Sequence, residues 1–198
     1  MPQPLQQISK TTRAGRAIVV GLGRTGMSCA RFLHARGVDF AVTDSRAEPP
    51  ETSQLKQLAP GVEMRFGGFD HALLENAAQI VASPGVSLDE PVMKAAAQRG
   101  IRIVGDIELF VREAQAPIAA ITGTNGKSTV TTLVANMIEA AGKRAVAGGN
   151  LGSPVLDLLD QPVPDVYVLE LSSFQLDTTH SLRAAVATVL NVTPVFSV

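Results

Sequence analysis

The chain has 198 residues, 45% hydrophobic and 18% charged, a globular composition with room for one or two domains. Lysine and arginine (17) balance aspartate and glutamate (18) to a formal net charge of −1, so no global basic field recruits nucleic acid, and no Trp, one Tyr and seven Phe leave little for base stacking. The single cysteine, Cys29, excludes an internal disulfide, and no apolar run is long enough to insert in a membrane.

Met1–Gly15 is a polar lead-in without the apolar core of a signal peptide, so the expected compartment is the cytoplasm. Its basic residues, Lys10 and Arg13, together with Arg16, read as sparse solvated charges. Ala17–Val20 is a buried strand ending at Gly21. Thr25–Ala35 has helical spacing, with Met27, Ala30, Phe32 and Leu33 on one side, and Gly37 ends it. Cys29 falls on that apolar side and reads as core. Phe40–Thr43 is a second strand, stopped by Asp44-Ser45, and Glu48-Pro49-Pro50 breaks the chain. Helices follow at Ser53–Leu58 and His71–Ala77, a strand at Gln79–Ala82, a helix at Pro91–Arg99, a strand at Ile101–Val104 and a helix at Asp106–Ala114. Pro117 suggests a boundary, dividing the chain into 1–113 and 114–198.

The cycle then restarts. Ile118–Ile121 is a strand, Lys127–Ala141 a long helix, and Arg144–Ala147 a strand leading into the loop Gly148-Gly149-Asn150-Leu151-Gly152. Val166–Leu171 and Ala187–Val192 are the last strands. Alternating β and α segments predict an α/β fold with a parallel sheet in each half. His34, His71 and His180 are scattered and lack metal-ligand spacing.

Two glycine loops carry the chemistry. Gly21-Leu22-Gly23-Arg24-Thr25-Gly26 fits G-x-G-x-x-G between a strand and a helix. The first glycine permits the turn, the second the approach of a pyrophosphate, and the third close helix–strand packing. Asp44 ends the next strand, placed to take a ribose hydroxyl or a base N–H. The loop alone leaves open a dinucleotide, another nucleotide, or a structural turn. Ser83-Pro84-Gly85 also follows a strand, where ligand crevices form, though a plain turn would read the same way.

Gly123-Thr124-Asn125-Gly126-Lys127-Ser128-Thr129 is the stronger signal. Successive backbone N–H groups can cradle phosphate, Lys127 can offset β/γ-phosphate charge, and the Ser128 hydroxyl can ligate Mg²⁺. The loop is shorter than G-x-x-x-x-G-K-[ST], since Ile121 stands where the first glycine would be. Glu170, at the end of a strand, is a carboxylate suited to the same metal.

The run Ala120–Thr129 resembles the ATP loop of the Mur ligases and of folylpolyglutamate synthetases. The first half, which the folate enzymes lack, selects the Mur side. The glycine loop at 21–26, Ser83-Pro84-Gly85, Gly105–Phe110, Gly148–Gly152 and Val168–Leu176 resemble the D-glutamate-adding branch. The resemblance spans residues 16–193. It implies a Rossmann-like N-terminal domain followed by the first part of a P-loop-type ATP-binding domain. It also implies an ATP-dependent amide ligase of peptidoglycan synthesis that joins D-glutamate to UDP-N-acetylmuramoyl-L-alanine through an acyl phosphate. The first loop would then hold a UDP-sugar. Arg24 and Thr25 would face the diphosphate and uridine, Asp44, Ser45 and Arg46 the uracil end, with Ser83, Pro84 and Gly85 closing over it. Asn150 and Ser172 would meet the muramoyl-alanine part, and Asn150, with Lys127 and Glu170, would belong to the catalytic set. Gly123 to Thr129 would hold ATP, with Ser128 and Glu170 on Mg²⁺. A monomer is implied.

After Leu190-Asn191-Val192-Thr193 the family pattern continues with an acidic, His-containing segment, then a carbamylated lysine and a third domain. This sequence reads Pro194-Val195-Phe196-Ser197-Val198. The expectation is a shortened or incomplete form, inactive in ligation alone, with a sheet edge open to association. The competing expectations are a non-catalytic UDP-sugar- or nucleotide-binding fragment, and an NAD-dependent oxidoreductase that would give the second loop no role.

Overall fold

The computed structural model describes residues 15–193; Lys10, Arg13 and 194–198 lie outside the described residues. Two parallel sheets follow one another along the chain. The first contains β1 (Ala17–Val20), β2 (Phe40–Asp44), β3 (Met64–Phe66), β4 (Gln79–Ala82) and β5 (Arg102–Val104), in the order β3-β2-β1-β4-β5. Every residue of β1, β2 and β4 is buried, as strands covered on both faces at the centre of a parallel sheet are, and the polar Thr43, Asp44 and Gln79 are buried with the apolar majority. The register pairs Val20 with Thr43 on one side and with Ala82 on the other. The strand order therefore reverses at β1, and the crevice between the ends of β1 and β4 is a topological switch point.

Helix α1 (Arg24–Ala35) buries Met27, Cys29, Ala30, Phe32 and Leu33 against this sheet. Burial pushes the Cys29 thiol well above its ordinary pKa, which suits the packing role expected of it. Helices α2 (Thr52–Leu58), α3 (His71–Glu75) and α4 (Pro91–Gln98) complete the layers. Asp70 caps α3 by accepting the Leu73 N–H at 2.9 Å.

Helix α5 (Asp106–Val111) leads to the second sheet, formed by β6 (Ile118–Thr122), β7 (Ala145–Gly149), β8 (Val166–Glu170) and β9 (Val186–Val189) in the order β7-β8-β6-β9. Helix α6 (Lys127–Ala140) follows β6, a 3₁₀ turn spans Val155–Asp160, and α7 (Ser173–Asp177) follows β8. The two halves share apolar packing: Phe32, Ile107 and Phe110 belong to one cluster with Val155, Tyr167 and Leu169. Phe110 meets Tyr167 edge to face at 5.0 Å.

Several elements differ from expectation. Strand β3, the 3₁₀ turn and α7 are additional. Helix α5 stops at Val111, where Glu113 and Ala114 both turn back to the Phe110 carbonyl ahead of Pro117. Gly148 and Gly149 belong to β7 instead of the following loop. A Cβ on Gly149 would lie 2.4 Å from the Glu170 carbonyl oxygen, so the bare glycine lets β7 and β8 close together there. Strand β9 ends at Val189, short of Val192. Arg16 is not simply solvated, because its guanidinium pairs with Glu63 in a half-buried setting. Among the described residues, no helix is long and apolar enough to cross a membrane.

Candidate functional site

The first glycine loop is built by its neighbours. Gly21 turns the chain at φ +89, and its N–H donates to the Thr43 carbonyl. A Cβ on Gly26 would sit 1.8 Å from the Gly21 carbonyl oxygen, so α1 packs onto the loop as closely as backbone allows. Ser83 ties the loop to β4 by donating its hydroxyl to the Gly21 carbonyl at 2.8 Å.

Asp44 is buried beside this loop. Its Oδ2 accepts the Leu22 N–H at 2.6 Å and the Arg46 Nη2–H at 2.7 Å, while Oδ1 accepts the backbone and Nε hydrogens of Arg46. Burial raises the Asp44 pKa, but these bonds outweigh it and hold the carboxyl below the ordinary aspartate value. The same contact raises the pKa of Arg46. The carboxylate thus orders the loop and fixes Arg46 in the crevice wall.

The resulting crevice encloses about 660 Å³, within the range of small-molecule sites. One wall holds Arg24, Thr25, Asp44, Ser45 and Arg46; another holds Ser83, Pro84 and Gly85. The facing wall comes from the second half, through Gly149, Asn150, Gly152 and Gln175. The walls are clasped together. Arg24 donates to the Gly152 carbonyl at 3.1 Å, and Asp157 accepts the Ser28 hydroxyl and, on both carboxylate oxygens, the Arg31 Nη2.

The second glycine loop lies at the ends of β6 and β8. Gly126 takes φ +83 at the start of α6, and no side chain caps that helix, so its first-turn N–H groups are left for an anion. Lys127 folds back, donating Nζ–H to the carbonyls of Gly123 at 2.8 Å and Thr124 at 3.2 Å. Thr129 is exposed on the first turn. Register puts Glu170 beside Ile121 on one side and Gly149 on the other, and its side chain is buried. Oε2 of Glu170 accepts the Ser128 hydroxyl at 2.7 Å, and Oε1 accepts the Asn150 amide at 2.9 Å.

This pair of hard oxygen donors, hydroxyl and carboxylate, fits Mg²⁺, which takes one or two protein ligands and fills its octahedron with water and phosphate. Among the described residues no cluster of three or more His, Cys, Asp or Glu offers an all-protein cage.

Asn150 joins the two regions, since it lines the crevice and bonds Glu170. Ser172 is placed differently. It caps α7, accepting the Gln175 N–H and donating to Gln175 Oε1, and is not part of the crevice wall. Gln175 and Phe69 do line the crevice without having been expected there. Ser172-x-x-Gln175 is a legible capping box, so the signal for Gln175's position was present in the sequence. Phe69 sits in a loop laced to β2 by the Gly68 and Asp70 N–H groups and to Arg46 just beyond it by the Gly67 N–H, long-range contacts that no local pattern announces.

Residues 15–105 match the Mur ligase MurD-like N-terminal domain, and residues 121–195 match the Mur ligase middle domain. A relative from Nitrosococcus oceani, named UDP-N-acetylmuramoylalanine--D-glutamate ligase, is 53% identical over 97% of this chain and 42% of its own length. One of the same name from Pseudomonas fluorescens is 58% identical over 88% of this chain and 39% of its own. The chain thus spans about two fifths of the length of these relatives. The solved structure of a pseudomurein peptide ligase type C from Methanothermus fervidus is 25% identical over 80% of this chain and 33% of that one, with a TM-score of 0.46. With two successive domain matches to one family and more than half of the residues shared with its members, this chain belongs to the Mur ligases.

Proposed function

We propose that the chain carries the UDP-sugar and ATP sites of a cytoplasmic ligase that adds D-glutamate to UDP-N-acetylmuramoyl-L-alanine in peptidoglycan synthesis, with residues 1–113 and 114–198 as its two units. The observation that supports this best is the position of Asn150, which touches both the crevice and the Glu170–Ser128 pair. A sugar nucleotide lying in the crevice with its diphosphate toward Gly23 and Arg24 would direct its acyl end toward Asn150. ATP on Gly123–Thr129 would present its γ-phosphate from the opposite side.

The chemistry follows from that convergence. The alanine carboxylate attacks the γ-phosphorus, the bond to ADP breaks, and an acyl phosphate forms. The amine of D-glutamate then attacks the acyl carbon and phosphate leaves. Two anions must meet in the first step, so Lys127, released from its loop carbonyls, would neutralise charge on the transferring phosphoryl group. Asn150 would orient the acceptor carboxylate, and Ser128 and Glu170 would hold Mg²⁺, which supplies Lewis-acid screening of the phosphates. Asp44 would act through Arg46 on the uracil end, with Ser45, Thr25 and Ser83-Pro84-Gly85 around the nucleoside. Ser172 would serve the acyl end through Gln175, the partner it positions.

Calorimetric titration with UDP-N-acetylmuramoyl-L-alanine, with NAD⁺ as comparison, tests the reading. Saturable binding of the sugar nucleotide alone is the expected result. Binding of NAD⁺ alone would transfer the first loop to the dinucleotide class.

A further inference from the structure

We propose that Asn191 is a positioning residue of the phosphate loop, an inference that rests on the nucleotide reading of residues 123–129. Its carboxamide oxygen accepts two consecutive loop N–H groups, from Thr124 at 3.1 Å and Asn125 at 2.9 Å. Its amide nitrogen donates in return to the Asn125 carbonyl at 2.9 Å. The Asn191 backbone carbonyl also accepts the Thr124 N–H at 3.1 Å. Thr193 continues the strap, donating its N–H to the Thr124 hydroxyl at 3.1 Å.

One side chain thereby makes the contacts a longer loop would make to itself. The loop has only two residues between Gly123 and Gly126, too few to satisfy its own polar groups while staying open. A Cβ on Gly123 would lie 3.2 Å from the Asn191 backbone, so the loop and the strap are in direct contact. Leu190 closes the other side, 3.8 Å from where a Cβ on Gly126 would be.

This arrangement divides the loop's donors. The N–H groups of Thr124 and Asn125 hold the strap, which leaves the uncapped first turn of α6, from Lys127 onward, to receive phosphate. Asn191 touches no phosphate itself. It fixes the entry angle of α6, and with it the spacing between Lys127, Ser128 and Glu170.

The test uses the whole chain, with MgATP and UDP-N-acetylmuramoyl-L-alanine as separate calorimetric probes and amide exchange at Thr124 and Asn125 read by NMR. Asn191→Ala should unprotect the Asn125 amide, while Thr124 keeps its bond to the residue-191 backbone carbonyl, and should weaken MgATP binding about tenfold, as expected for the loss of hydrogen bonds that order the loop. Its affinity for the UDP-sugar should not change, which a general loss of structure would not spare. Asn191→Asp, isosteric and able to accept both N–H groups but not to donate to the Asn125 carbonyl, should protect Asn125 better than the alanine variant does, and it keeps the test available if the alanine variant fails to fold. Equal or tighter MgATP binding by Asn191→Ala would overturn the proposal, because the carboxamide would then be a phosphate substitute that nucleotide displaces. Unchanged amide exchange would overturn it as well. If the unaltered chain binds no MgATP, the nucleotide reading of the loop falls, and the exchange comparison alone decides whether Asn191 holds it.

Discussion

The side-chain amide of Gln175 donates to both carboxyl oxygens of Asp106, at 3.3 Å and 3.1 Å, and joins α7 to α5 beneath the crevice. Both residues are buried, and a neutral amide compensates a carboxylate only in part. Burial pushes the Asp106 pKa from 3.8 up to about 6, against the opposing bonds from Gln175 and the Ile107 N–H. The folded chain therefore keeps a proton that the unfolded chain has released. Stability from this group is complete below the ordinary value of 3.8 and is lost as pH rises through 6. The shift corresponds to about 3 kcal/mol. Asp106→Asn should become progressively more stable than the parent across that window in urea unfolding. A constant difference between the two from pH 4 to 7 would show that Asp106 titrates normally.

Glu108, two residues on, behaves in the opposite sense. It accepts the N–H groups of His180 and Ser181 at 2.8 Å each, the Ser181 hydroxyl at 3.0 Å and two hydrogens of Arg112. Burial raises its pKa, but those bonds together lower it below the ordinary glutamate value. Its contribution is present above that ordinary value and is lost as pH falls through the lowered one. Glu108→Ala should cost about 3–5 kcal/mol at neutral pH, the loss expected when one partner of a buried charge cluster is removed. Glu108→Gln should flatten the acid limb of the stability curve. Parent-like acid unfolding of the glutamine variant would argue against the clasp.

The second and third glycines of the first loop should separate folding from binding. At Gly26 an added methyl meets the Gly21 carbonyl oxygen at 1.8 Å, backbone against backbone, so Gly26→Ala should destabilise by about 3 kcal/mol or more. Gly23 has open space around its Cβ position and an ordinary φ of −96, so Gly23→Ala should melt like the parent. Because Gly23 lines the crevice, that variant should nevertheless bind UDP-N-acetylmuramoyl-L-alanine about tenfold more weakly, as expected if the methyl blocks pyrophosphate. Equal affinity would place the diphosphate elsewhere.

The central strands were legible because β1, β2, β4 and β8 each carry an apolar run of three or four residues, and α1 has helical spacing closed by glycine. Strand β3 was not legible. Met64–Phe66 is a half-buried edge of three residues, stabilised by pairing with Val42 to Asp44 instead of by its own pattern. The glycine loops could be read as candidate anion sites, since phosphate chemistry favours that composition. The use made of Asp44 was hidden, because its bond to the Leu22 N–H spans 22 residues. Asn150, Ser128 and Glu170 could be named as candidates, but only the register of β6, β7 and β8 brings the ends of those strands to one point.

That meeting point makes Glu170 the most informative single substitution. Glu170→Gln keeps shape and volume, and the amide can still accept from Asn150 while donating to the Ser128 oxygen, so the variant should fold. It removes the only formal negative charge of the Ser128–Glu170–Asn150 chain, and with it the attraction for a divalent cation. In the unaltered chain Mg²⁺ should strengthen ATP binding. In Glu170→Gln that enhancement should fall by about tenfold, in line with a lost charged ligand, while the UDP-sugar affinity stays within about twofold. Asn150→Ala should do the reverse, weakening the sugar nucleotide first, because its amide faces the crevice and only steadies the carboxylate. If both variants lost both ligands equally, Asn150 and Glu170 would be parts of one structural knot, and the division of the site into a sugar-nucleotide side and a phosphate side would fail. If Glu170→Gln kept the full effect of Mg²⁺, the cation would be held by the phosphates and Ser128 alone.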